Sequence, residues 1–269
     1  MTNHSLSSCC LSGKVRSGQP TGKEETIAGL PTYVALPESG DKSQAVFFMH
    51  DVFGWGFPNV RMLADSYAYA GIAAFIPDLH ADDSLPIASL QDVDPPLAVK
   101  ENLSAEEKKK KSERMHAAYG PWLGRHGDDV TVPRVDAFIA ALKEMPGVKK
   151  IGALGFCWGA KYVLREVRHG TVDAGVACHP SLVSVPGDFE GIQKPLSVAC
   201  GTKDSMLSME EVVKIQETLA KASVPSEVRL YKDQVHGFAL RGDWSSDADA
   251  QAMDEAEQQG IAWFKKYLD

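Results

Sequence analysis

Six short apolar runs, separated by stretches of helical spacing, constrain the fold of this chain more than any other feature. The runs fall at residues 45–49, 72–76, 151–156, 174–178, 196–200 and 228–231. Between or after them, residues 60–70, 128–144, 160–169, 209–222 and 248–267 repeat apolar positions every three to four residues. Strand and helix alternate, which predicts an α/β fold with a mainly parallel central sheet and helices on both faces, a three-layer sandwich. In such sheets ligands bind at the carboxyl ends of the strands, so the chemistry is expected just after the runs.

The chain has 269 residues, 44% hydrophobic and 24% charged, enough for one large core. The reading is an irregular N-terminal arm over 1–25 and a single domain over 26–269. The alternation lapses over about 82–127, where Pro86, Pro95 and Pro96 precede a lysine-rich stretch. That stretch reads as an insertion near the site rather than a linker. Ser104 with Glu107 makes a capping-box pattern and predicts a charged helix whose lysines form a solvated face, with steering of an anionic substrate as the alternative.

A net charge of −8 argues against nucleic acid or anionic lipid as a partner. The five cysteines, Cys9, Cys10, Cys157, Cys178 and Cys200, have neither disulfide-scaffold nor metal-ligand spacing, which fits a reducing compartment. Cys9 and Cys10 read as incidental thiols in the arm. With no apolar leader and no membrane-length apolar stretch, the expectation is a cytoplasmic protein, monomer or homodimer, with no metal and no membrane partner.

The segment with most chemistry in it is Gly155-Phe156-Cys157-Trp158-Gly159, a G-x-C-x-G between a strand and a helix. It has the pattern of a nucleophile elbow with sulfur in place of a hydroxyl. Glycines on both sides leave room for a strained turn, and the helix N-terminus favours a thiolate. By itself the motif is also compatible with a structural cysteine in a βα turn. Asp204, just after the 196–200 run, and His236, after the 228–231 run, complete the order nucleophile, acid, base at strand ends. In this reading His236 takes the thiol proton and Asp204 fixes and stabilises its ring. No cofactor is required. After the 45–49 run comes His50-Asp51-Val52-Phe53-Gly54-Trp55. The amides of Val52 and Trp158 are the expected oxyanion donors. Asp51 is read as a group that holds the nucleophile in check, with a helix cap as the alternative, and His50 as a supporting residue.

These residues together resemble the dienelactone hydrolase (carboxymethylenebutenolidase) family of the α/β-hydrolase superfamily. The resemblance runs from about residue 27 to the end and rests on H-D-V-F-G at 50–54, G-F-C-W-G at 155–159, Asp204 and H-G-F at 236–238. It implies a Cys-His-Asp triad at Cys157, His236 and Asp204. It also implies that Asp51 stands where family members carry a glutamate that pairs with the resting nucleophile. The arginines that grip a substrate carboxylate in bacterial members have no exact counterparts: Asp82 and Leu240 stand there, with Arg241 one step later. The C-C-L-S-G near the start and H-P-S-L at 179–182 look like the fungal branch, whose members appear in aromatic degradation and near polyketide pathways.

The expected activity is hydrolysis of a small ester or lactone through a thioester acyl-enzyme. Phe53, Trp55, His80, Trp122, His179, Phe238 and Arg241 are the candidate pocket residues. Two alternatives stay open. The same triad serves a thioesterase or a lactam or amide hydrolase, and a non-catalytic ligand-binding or redox-sensing protein would use the Cys157 pocket without turnover.

Overall fold

The computed structural model describes residues 18–92 and 97–269; Cys9, Cys10, Pro95 and Pro96 lie outside the described residues. Its strands are β1 (Lys23–Ile27), β2 (Leu30–Ala35), β3 (Gln44–Met49), β4 (Ala73–Pro77), β5 (Lys150–Phe156), β6 (Ala174–Cys178), β7 (Leu196–Gly201) and β8 (Ser226–Tyr231). The helices are α1 (Pro58–Tyr69), α2 (Leu97–Asn102), α3 (Ala105–Arg125), α4 (Asp128–Glu144), α5 (Trp158–His169), α6 (Met209–Leu219), α7 (Phe238–Arg241) and α8 (Asp247–Tyr267). The eight strands form one sheet in the order β1-β2-β4-β3-β5-β6-β7-β8. All neighbours from β4 to β8 run parallel, and β1 and β2 add an antiparallel edge.

Side-chain alternation along β5 and β6 shows how the helices divide between the faces. A methyl group built on Gly152 would meet Phe264 of α8, whereas on Gly155 it would meet Val163 of α5. Phe47 stacks at 4.8 Å on Phe138 of α4, and its neighbour Phe48 meets Tyr67 of α1 at 5.1 Å. Phe47 pairs in register with Ala153 and Phe48 with Leu154. Helices α4 and α5 therefore cover one face and α1 and α8 the other, making the three-layer sandwich of an α/β-hydrolase. Strands β3 to β7 are buried almost throughout, as expected of parallel strands covered twice.

Two features differ from the sequence reading. Strand β1 begins at Lys23, inside the stretch assigned to the irregular arm; its pattern KEETI is mostly exposed, so hydrophobic periodicity gives no sign of it. Strand β2 pairs on both sides and buries its last four residues, but Pro31 near its start disguises it. The 82–127 stretch holds α2 and α3. The expected capping box is present, with Ser104 Oγ accepting from Glu107 N–H at 3.2 Å and Glu107 Oε2 accepting from Ser104 N–H at 2.8 Å. No described helix is long and apolar enough to cross a membrane.

Candidate active site

The turn from β5 into α5 places Cys157 at φ 53°, ψ −114°, a left-handed conformation that costs a side-chain-bearing residue energy and aims its sulfur out of the sheet end. The flanking glycines make the turn sterically feasible. A Cβ on Gly159 would lie 2.0 Å from the Met49 carbonyl oxygen, and one on Gly155 would lie 2.6 Å from that of Gly159. Backbone bonds fasten the elbow to β6: Cys157 N–H donates to Cys178 O at 3.1 Å, and Ser181 N–H donates to Cys157 O at 3.2 Å. The sulfur lies 3.4 Å from Ser181 Oγ.

The structure brings the two distant candidates together beside it. His236 Nδ1 lies 2.9 Å from Asp204 Oδ2 and 3.1 Å from Oδ1, with both side chains buried. Its Nε2 is buried, and among the described residues the Cys157 sulfur is the group that acts on the ring from the side away from Asp204. Burial works against the charged imidazole, yet the Asp204 carboxylate and the Cys157 sulfur outweigh it and lift its pKa to about 10. Burial likewise opposes the thiolate, but the charge of His236, with help from Arg241, holds the Cys157 thiol below its ordinary value. Gly237 is required next to the histidine: it has φ 87°, and a Cβ there would sit 2.3 Å from the Arg241 guanidinium.

A cavity of about 440 Å3 opens onto Cys157 and His236. Val52, Phe53, Leu85, Leu103, Met115 and Met206 give it a mainly apolar wall, and Arg241, Lys108, Lys111 and Arg114 add cations. Among the described residues no carboxylate lines it, in a chain of net charge −8. The amides of Val52 and Trp158, the expected oxyanion donors, enter no hydrogen bond among the described residues. No cluster of three metal-type ligands occurs among the described residues.

Several candidate residues lie elsewhere. Asp51 makes no hydrogen bond to the sulfur, though its charge opposes the thiolate; its Oδ1 accepts from Phe53 N–H at 2.9 Å and its Oδ2 faces Arg241 Nε at 2.9 Å. Trp55 packs under the Arg61 guanidinium at 4.5 Å, away from the cavity. His80 and Trp122 are core groups in a cluster with His50, His126 and Trp158, their ring centroids 4.3 to 6.1 Å apart. His50 has its tautomer fixed, because Leu79 N–H donates to Nε2 at 3.3 Å and Nδ1 therefore donates to Asp51 O at 2.9 Å. His179 sits behind His236, between Phe156 and Phe238, and neither it nor Phe238 reaches the cavity. Of the pocket candidates, Phe53 and Arg241 line it.

The sequence reading set the lysines of α3 on a solvated face in preference to the site and named none of the residues by which this helix lines the cavity. Lys108, Lys111, Ser112, Met115, Ala118 and Tyr119 line the cavity from this helix, so its lysines are not all on a solvated face. Lys109 and Lys110 do face outward, paired with Glu113 and Glu106. The Tyr119 hydroxyl is buried next to Ser181 and near the Cys157 sulfur, and burial pushes its phenol well above the usual range, so it stays neutral and able to donate. The three-and-four spacing of these positions was the available signal. Ser181 was also missed, although it lies in the noted H-P-S-L.

A sequence profile described as the dienelactone hydrolase family matches residues 30–268. A hydrolase of Aspergillus violaceofuscus, pyvD, is 29% identical over all of this chain and 99% of its own length. A carboxymethylenebutenolidase homolog of Xenopus tropicalis is 25% identical over 97% of this chain and 96% of its own. The crystal structure of the dienelactone hydrolase from Anabaena variabilis superposes with a TM-score of 0.62 at 17% identity, covering 94% of this chain and 100% of that one, a likeness of fold. With a family match across nearly the whole described chain, this protein belongs to the dienelactone hydrolase family, hydrolases that act on lactone and ester bonds.

Proposed function

We propose that this chain hydrolyses a small, largely apolar ester or lactone bearing a negative charge, through a thioester on Cys157. The observation that carries the reading is the shared cavity: Cys157 at a positive-φ elbow and His236 backed by Asp204 open into one apolar space lined by cations. His236 Nε2 takes the thiol proton, and the thiolate attacks the substrate carbonyl carbon. A C–S bond forms, and the carbonyl electron pair moves to oxygen, where the Val52 and Trp158 amides receive it without reorganising. Collapse expels the alkoxide or enolate, which takes the proton back from His236. Water, deprotonated by the same nitrogen, then attacks the thioester; thiolate leaves, and the acid product is released.

Substrate charge follows from the lining. Arg241 Nη1 is buried without a hydrogen-bond partner among the described residues, and Lys108 stands on the α3 wall. An anionic group on an apolar body satisfies both kinds of surface. The test is a panel of lactones, esters, lactams and thioesters, each with and without a carboxylate, assayed on the native chain and on Cys157→Ala. The expected outcome is turnover of anionic lactones or esters, a thioester adduct detected by mass spectrometry, and no turnover by the alanine variant at an unchanged melting temperature. Turnover retained in Cys157→Ala would sink the reading.

A further inference from the structure

Besides the imidazole of His236, the Cys157 sulfur has a neutral hydroxyl beside it: Ser181 Oγ lies 3.4 Å from Sγ, and Ser181 is fully buried. It is also tied to the nucleophile's own peptide, through its N–H on the Cys157 carbonyl at 3.2 Å. Elbow and serine are thus fixed to each other at two points, so the hydroxyl keeps its place against the sulfur. The carboxylate expected in that place is committed elsewhere, with one oxygen of Asp51 on the Phe53 amide and the other on Arg241.

We propose that Ser181, rather than Asp51, is the group that holds the resting nucleophile in this chain, accepting from the thiol and donating to the thiolate. The inference rests on Cys157 being the nucleophile. When the thiol proton passes to His236 Nε2, the Ser181 hydroxyl turns its own hydrogen toward the sulfur and stays covalently intact. No proton leaves the serine at any step. During attack the new C–S bond replaces the negative charge on sulfur, and the hydrogen bond weakens; when water later displaces the thiolate, the charge returns and the bond re-forms. Ser181 therefore raises the thiolate population available for attack and assists the sulfur as a leaving group.

The choice of group sets the resting state. A carboxylate against the sulfur favours the protonated thiol by repulsion, whereas a neutral hydroxyl favours the thiolate by donation. A hydrogen bond to an ionised partner is stronger than one between neutral groups. The site is primed rather than masked.

The experiment measures carbamidomethylation of Cys157 by iodoacetamide across a pH series, read on the Cys157 peptide by mass spectrometry so that the other cysteines do not interfere. In Ser181→Ala the midpoint of the rate profile should rise by about one pH unit, with roughly tenfold slower alkylation below the native midpoint. Ser181→Thr, which keeps the hydroxyl, should return the midpoint to the native value. Ser181→Gly should shift it as alanine does and serves if the alanine variant fails to fold. An unchanged midpoint in a folded Ser181→Ala or Ser181→Gly protein overturns the proposal. Alkylation reads the thiol without turnover, so this result stands apart from the Cys157→Ala assay of the hydrolase reading.

Discussion

Arg241 Nε lies 2.9 Å from Asp51 Oδ2 inside the protein, with the two side chains 3% and 0% exposed. The pair joins α7, which follows the histidine, to the loop that carries the expected oxyanion amide of Val52. Neither charge has water to fall back on, so removing one strands the other. Asp51→Asn should cost about 3 kcal/mol of unfolding free energy in urea at neutral pH. Replacing both, as Asp51→Asn with Arg241→Met, should recover most of the loss while leaving the cavity one cation poorer. An Asp51→Asn protein as stable as the native chain would show that the pair is not held together.

The His236 and Asp204 pair links stability to pH. A histidine whose pKa rises from about 6.5 when unfolded to about 10 when folded binds its proton more tightly in the native state. It adds stability that is fully present below about pH 6.5 and is lost as the pH climbs through about 10. In a Cys157→Ala background the sulfur's share of that rise is gone and Asp204 alone raises the histidine, so unfolding free energy should still fall as the pH climbs above about 6.5, over a narrower window than the native pair gives. Adding Asp204→Asn should flatten that fall. Equal slopes with and without the carboxylate would mean that Asp204 does not raise the histidine.

Asp83 fastens the far end of the α3 wall. Its carbonyl accepts from Trp122 Nε1 at 2.6 Å, its Oδ2 accepts from Arg125 Nε at 2.7 Å, and His126 Nε2 lies 3.1 Å from the same oxygen. The Asp83 side chain is 44% exposed, which limits what its ion pair adds to global stability. In Asp83→Ala the main-chain bond to Trp122 survives but the helix end loses its carboxylate anchor. Steady-state kinetics should show KM rising about fivefold with little change in kcat, and Tm moving by no more than about 4 °C. An unaltered KM would show that α3 keeps its place without this anchor.

What was legible in the sequence follows from how locally each feature is encoded. Cys157, Asp204 and His236 each sit just past a strand with a strong apolar run, so topology alone brings them to one end of the sheet. Strands β1 and β2 escaped because one is charged and exposed and the other carries Pro31. Pocket walls were harder. An aromatic residue in a loop after a strand can turn toward the cavity or into the core, and spacing does not decide between them. Phe53 lines the cavity, whereas Trp55, two residues on, packs under Arg61. The α3 face was hidden for a different reason: it mixes Lys108 and Lys111 with Met115 and Tyr119, so a search for apolar periodicity finds only its second half.

That mixed face makes charge selectivity the most direct test of the substrate class. Lys108 lines the cavity but is itself exposed, so its effect on a bound anion is screened and modest, about 1 kcal/mol or roughly fivefold. Lys108→Ala should lower kcat/KM for a carboxylate-bearing ester about fivefold and leave that of its neutral methyl ester unchanged. Added salt should shrink the difference between the two substrates in the native chain and have little effect in the variant. If both substrates lose equally, the lysine shapes the wall rather than reading charge, and the anionic substrate would then rest on Arg241. Since Arg241 is also held by Asp51, its attraction for a second anion is already partly spent, which is why the α3 cation is expected to carry a measurable share.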